Sequence, residues 1–120
     1  MDAFRTLIPV ALLFIVCDLP WLFTVGGWSQ GMVKKIQGGA NMTLRWEGAP
    51  VVYIALAYLL LQTHSNIQAF LTGLATYAVY DFTNYTTLVN YEIKFAIADS
   101  LWGGVLFSIV RQVAIRLNLL

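Results

Sequence analysis

The chain has 120 residues, of which 59% are hydrophobic and only 11% are charged, and its formal net charge is +1. A soluble domain has about 45–50% apolar and about 25% charged residues, so this composition argues against a soluble domain and indicates an integral membrane protein. The near-zero net charge, together with the lack of any basic run interleaved with aromatic residues, argues against nucleic acid as a partner.

The apolar segments predict an all-α fold, a four-transmembrane-helix bundle that forms a single membrane domain over residues 1–120. The first span is predicted over residues 4–25, with Pro20 inside it, where the missing N–H is expected to kink the helix. Residues 26–45 follow, rich in Gly and polar groups. They are predicted to form a polar loop, with a short interfacial helix between Trp28 and Ile36 as an alternative for part of it.

Three further spans complete the prediction. They cover residues 46–61, 67–88 and 95–115, with Pro50 in the first turn of the second span, where proline is accepted. Helices are favoured over the strands of a membrane barrel because the apolar runs show no period-two alternation.

Acidic residues occur inside three of the predicted spans. Asp18 and Asp81 lie late in the first and third spans, and Asp99 lies early in the fourth, which runs in the opposite direction. All three are therefore expected at similar depth in one half of the bilayer. A lipid-facing aspartate near the centre of a span costs about 2.5–3.5 kcal/mol, so the three side chains are expected to face one another inside the bundle.

Helical periodicity supports this placement. On the third span Tyr77, Tyr80, Asp81 and Asn84 follow spacings of three and four and so line one stripe. On the fourth span small residues form rows that allow another helix to approach closely. These predicted helix-packing residues are Ala96, Ser100, Gly103, Gly104 and Ser108.

The sequence therefore predicts a shared polar pocket that serves as a polar core or as a site for an ion or a proton. No Lys or Arg lies at this depth inside a span, so grouped carboxylates cannot all stay ionised, and at least one is expected to hold or share a proton. The predicted pocket consists of Asp18, Asp81, Asn84 and Asp99, with Tyr77, Tyr80, Trp21 and Trp102 around it.

Three short motifs resemble a family of small four-helix integral membrane proteins of unknown activity. They are CDLPW at 17–21, YDFTN at 80–84 and DSLWG at 99–103. The resemblance implies a four-span fold, and a family found in bacteria and in some large DNA viruses of algae, but no reaction. It marks Asp18, Trp21, Tyr80, Asp81, Thr83, Asn84, Asp99, Trp102 and Gly103. The pattern FxxxDxxW, at 14–21 and again at 95–102, is also compatible with an inverted internal repeat.

Two functions follow from these features. In the first, the protein is a non-enzymatic structural or assembly component of a cell membrane or of a viral internal membrane. The loop at 26–45 then contacts a protein partner, such as a capsid, or a second copy of the chain. In the second, the carboxylate pocket binds a proton or cation and couples it to movement of a small solute, with Pro20 as a hinge.

Enzymatic function is the least favoured interpretation. The chain has no GxSxG motif, no P-loop, and only one His and one Cys, so neither a catalytic triad, a metal site nor a cofactor is expected. If the protein is an intramembrane hydrolase, Asp81 and Asp99 are the expected acid and base pair.

Overall fold

Four helices account for most of the chain in the computed structural model, which describes residues 3–120, with side chains from Arg5 onward. They are α1 (Ala3–Ile36), α2 (Gly48–Leu61), α3 (Asn66–Thr87) and α4 (Ile93–Arg116). No strand occurs within these described residues, so the predicted all-α fold of four helices is confirmed.

Two of the helices, α1 and α4, are long and apolar enough to cross a membrane. Helix α2 is apolar but has only 14 residues, which at 1.5 Å per residue covers about 21 Å of the roughly 30 Å of hydrocarbon. That α2 and α3 also span the bilayer stays a prediction.

Helix α1 is much longer than the predicted first span. It continues through Gly26 and Gly27 to Ile36, so the assignment of residues 26–36 to a loop was wrong. The helix ends instead at a second glycine pair, Gly38 and Gly39, which have φ values of 67° and 102°. Glycine adopts this left-handed conformation without steric cost, and the Gly39 N–H donates to the carbonyl of Lys34 at 2.8 Å.

Packing against α4 explains why the helix passes through two glycines. A stripe at helical spacing, made of Trp21, Val25, Trp28, Met32 and Ile36, runs along this part of α1. Val25 and Met32 are buried against the start of α4 and the turn before it. Each interior glycine costs about 1 kcal/mol of helix propensity, and burial of the larger apolar side chains outweighs that cost.

The core consists of two apolar clusters with the polar pocket between them. The larger cluster joins all four helices, with Phe14, Leu60, Leu106 and Phe107 fully buried in it. The smaller cluster is centred on Phe95, where α1 passes the start of α4. Phe14 lies against Phe107 and Trp28 against Phe95, so α1 and α4 run antiparallel.

The closest helix contact is between α3 and α4 at two glycines. A methyl group added to Gly103 would lie 2.6 Å from the carbonyl oxygen of Gly73, which is closer than real side chains approach. Of the predicted packing residues on α4, Ala96, Ser100, Gly103 and Gly104 are buried and Ser108 is half-buried. Helix α3 therefore packs closely against the small residues of α4, because small side chains allow two helix backbones to approach each other.

Candidate functional site: a buried cluster of three aspartates

Asp18, Asp81 and Asp99 are all buried, with exposed fractions of 6%, 0% and 9%. Asp81 and Asp99 lie about two turns from the neighbouring ends of α3 and α4. Asp18 lies near the middle of α1, because that helix continues beyond its predicted end. Its expected position late in the helix was therefore wrong, yet its side chain still faces α4.

Asp18 is held by two neutral donors from two other helices. The Tyr53 hydroxyl of α2 donates to Asp18 Oδ2 at 2.8 Å, and the Trp102 indole N–H of α4 donates to Asp18 Oδ1 at 2.8 Å. Each carboxylate oxygen thus has a donor. Asp18 ties α1 to both α2 and α4.

The Asp-x-x-Trp segments of α1 and α4 contact each other reciprocally. Trp102 donates to Asp18, and Trp21 donates through its indole N–H to Asp99 Oδ1 at 2.9 Å. The two indole rings stack between these hydrogen bonds, with centroids 5.2 Å apart and planes 8° from parallel. Because the two helices are antiparallel, this exchange is a local two-fold arrangement of one motif with itself.

Asp81 is the most deeply buried of the three acids. The Tyr91 hydroxyl donates to Asp81 Oδ1 at 2.6 Å, whereas Oδ2 has no hydrogen-bond donor among the described residues. The carboxyl group of Asp99 lies close to that of Asp81. Because two carboxyl groups hydrogen-bond to each other only when one carries a proton, this proximity is compatible with a shared proton.

Tyr91 comes from the short turn between α3 and α4. Asn90 in this turn has a left-handed backbone, with φ 70°, and its side-chain N–H donates to the Lys35 carbonyl at 3.5 Å. Burial, and then the hydrogen bond to Asp81, raise the pKa of the Tyr91 phenol. The phenol therefore stays protonated and continues to act as a donor.

The predicted pocket residues Tyr77, Asn84 and Tyr80 differ in how deeply their side chains are buried. Tyr77 is half-buried near all three aspartates. Asn84 lies half-buried near the hydroxyls of Tyr80 and Tyr91. Tyr80 is mostly exposed, so it lines the edge of the pocket instead of its interior.

A cleft with a volume of about 320 Å³ leads to Asp99 from the outer surface of the bundle. It opens between α2 and α3, which have little contact with each other. The lining residues are Val52, Leu56, Thr76, Tyr77, Tyr80 and Asp99.

Sequence reasoning did not find the two tyrosine donors, Tyr53 and Tyr91. Tyr53 is a polar-tipped residue in an otherwise apolar helix, and Tyr91 lies in a turn, so neither belongs to the polar stripe of α3.

Within the part of the chain that the structure describes, no group of three or more His, Cys, Asp or Glu side chains has the arrangement of a metal site. The neighbours of the acids are aromatic hydrogen-bond donors and other carboxyl groups.

The exterior of the bundle reverses the pattern of a soluble protein. Three carboxyl groups lie inside, and large apolar side chains cover the outside, among them Leu12, Phe23, Val51 and Val79, which are between 56% and 83% exposed. Such a surface is compatible with lipid and not with water. The fold and the buried acids thus define a small helical membrane protein with a polar interior.

The family is identified by a match of residues 4–115 to the model of a family described as a predicted membrane protein (DUF2177). The match covers nearly the whole chain, and the protein belongs to this family. The resemblance seen in its motifs, to a family of unknown activity, is thereby confirmed. No curated protein and no solved structure matches the chain.

Proposed function

We propose that the protein binds a proton between Asp81 and Asp99 and exchanges it as a small solute binds or moves through the membrane. The observation that carries this proposal is the adjacency of two buried carboxyl groups, one of which has an oxygen without a donor. Ionisable groups inside membrane bundles commonly form proton relays or substrate sites.

The three acids have separate roles in this proposal. Asp18 receives a donor on each oxygen from Tyr53 and Trp102, so it acts as a structural link between helices. Asp81 and Asp99 receive one neutral donor each, from Tyr91 and Trp21, and face each other. A purely structural cluster would supply a donor to both oxygens of each acid.

The test compares proton flux into reconstituted vesicles that contain a trapped pH-sensitive dye. An imposed pH gradient is combined with Na⁺, K⁺ or a small alkylamine as the candidate solute. We expect solute-dependent flux with the wild-type protein and none with Asp81→Asn or Asp99→Asn, while both variants keep the wild-type melting temperature within a few degrees. Folded variants that transport as well as wild type, or a wild-type protein equal to empty vesicles with every solute, would contradict the proposal.

A second candidate is a structural or assembly role, and the reciprocal hydrogen bonds between α1 and α4 favour it. Interhelical hydrogen bonds in membranes contribute about 0.6 kcal/mol on average, enough in combination to fix the packing of short helices. Of the predicted docking loop at 26–45, residues 37–45 lie outside the helices, and the connection between α1 and α2 continues to residue 47. Leu44 and Trp46 in this connection are 52% and 73% exposed. Under this alternative, Leu44→Ser with Trp46→Ser abolishes crosslinking to a partner in native membranes, and Asp81→Asn impairs folding alone.

A further inference from the structure

We infer that the cleft between α2 and α3 is a binding site for a single-chain amphiphile with a primary amine, which enters sideways from the bilayer. This inference rests on the proposed function and specifies the chemical class of its solute.

The shape of the cleft favours an amphiphile. Its volume of about 320 Å³ is at the lower end of ligand pockets, which measure roughly 300–1,000 Å³. Val52 and Leu56 form an apolar wall on α2, and the half-exposed Val52 marks the opening at the outer surface. An alkyl chain at this opening continues into the surrounding lipid without meeting water.

The chemistry of the inner end favours an amine. Asp99 is nine-tenths buried and lines the cleft, and it lies close to the fully buried Asp81, which is not part of the lining. Tyr77, also in the lining, has no hydrogen bond to another described residue and offers its hydroxyl as an acceptor. An ammonium group has three donors and a positive charge, which complement a carboxylate and a phenol, whereas a carboxylate ligand would be repelled.

A shared proton and a bound ammonium each compensate one of the two carboxylate charges of Asp81 and Asp99. The site therefore keeps one net negative charge whether it holds the proton or the ammonium. An ammonium that binds at Asp99 can thus replace the proton, which is released. The cleft therefore places the solute in direct contact with the proton-binding pair, which is the requirement for coupling.

Binding of octylamine to the protein in phosphatidylcholine nanodiscs tests the inference, with octanol and octanoate as matched ligands. We expect octylamine to bind at least about tenfold more tightly than either, because only the ammonium group adds the attraction of opposite charges to its hydrogen bond with Asp99. Equal binding of the three ligands, or no saturable octylamine binding, would overturn the inference.

Two substitutions on adjacent positions of α2 provide the structural control. Val52→Trp fills the cleft and should abolish octylamine binding, whereas Val51→Trp, at a 68% exposed position outside the lining, should leave it unchanged. Retained binding in Val52→Trp would refute the site. The infrared signal of a protonated carboxyl group in the wild-type protein reports the proton pair independently, so its presence without amine binding would reject this inference alone.

Discussion

The glycine contact between α3 and α4 gives the sharpest stability prediction. Replacing Gly103 with Ala places a methyl group 2.6 Å from the Gly73 carbonyl oxygen and against the Tyr77 ring. A backbone carbonyl cannot rotate away, so the helices must separate, and overpacking of this kind costs about 1–3 kcal/mol. Alanine has a more favourable helix propensity by up to about 1 kcal/mol, which leaves a net loss of up to about 2 kcal/mol.

Gly27→Ala is the matched control for this substitution. Gly27 also lies inside a helix, but a methyl group there has no atom within 4 Å. It should gain about 1 kcal/mol from helix propensity alone, so the difference between the two variants isolates the packing term. The free energy of unfolding, measured in detergent with increasing denaturant, is the readout. Equal stability of Gly103→Ala and Gly27→Ala would show that α3 and α4 do not cross at Gly73 and Gly103.

Two further predictions concern the donors to Asp18 and the extension of α1. Trp102→Phe and Tyr53→Phe should each destabilise the protein by about 0.6–1.7 kcal/mol, and each should show coupling with Asp18→Asn in a double-mutant cycle; additive losses would contradict the hydrogen bonds. In a Cys17→Ser background, Met32→Cys should react with a maleimide much more slowly than Lys34→Cys, because Met32 is 3% exposed and Lys34 is exposed. Equal reaction rates would indicate that residues 26–36 form a loop.

Composition and periodicity were sufficient to predict the fold class and the convergence of the acids. The apolar runs predicted four helices, and the cost of a lipid-facing carboxylate placed Asp18, Asp81 and Asp99 inside the bundle. The end of α1 was misplaced because the Gly-rich and polar composition of residues 26–45 was interpreted as a loop. The stripe that includes Val25 and Met32 was the contrary signal, and long-range packing of that stripe outweighs local propensity.

The pairing of donors and acceptors within the site was beyond the sequence. Both DxxW segments were recognised in the sequence. The sequence alone does not show that Trp21 donates to Asp99 and Trp102 donates to Asp18. That exchange depends on the register of α1 against α4, which is set by side chains far from either motif. Tyr53 and Tyr91 were missed for the same reason, since they reach the acids from an apolar helix and a turn.

Infrared spectroscopy of the protein in lipid at neutral pH can detect the proposed proton shared by Asp81 and Asp99. We expect a band from a protonated carboxyl group in the wild-type protein and in Asp18→Asn. The band should be absent from Asp81→Asn and from Asp99→Asn, because the remaining carboxylate then faces an amide that can donate to it. A wild-type protein without this band, or a band that persists in both of the latter variants, would contradict the claim.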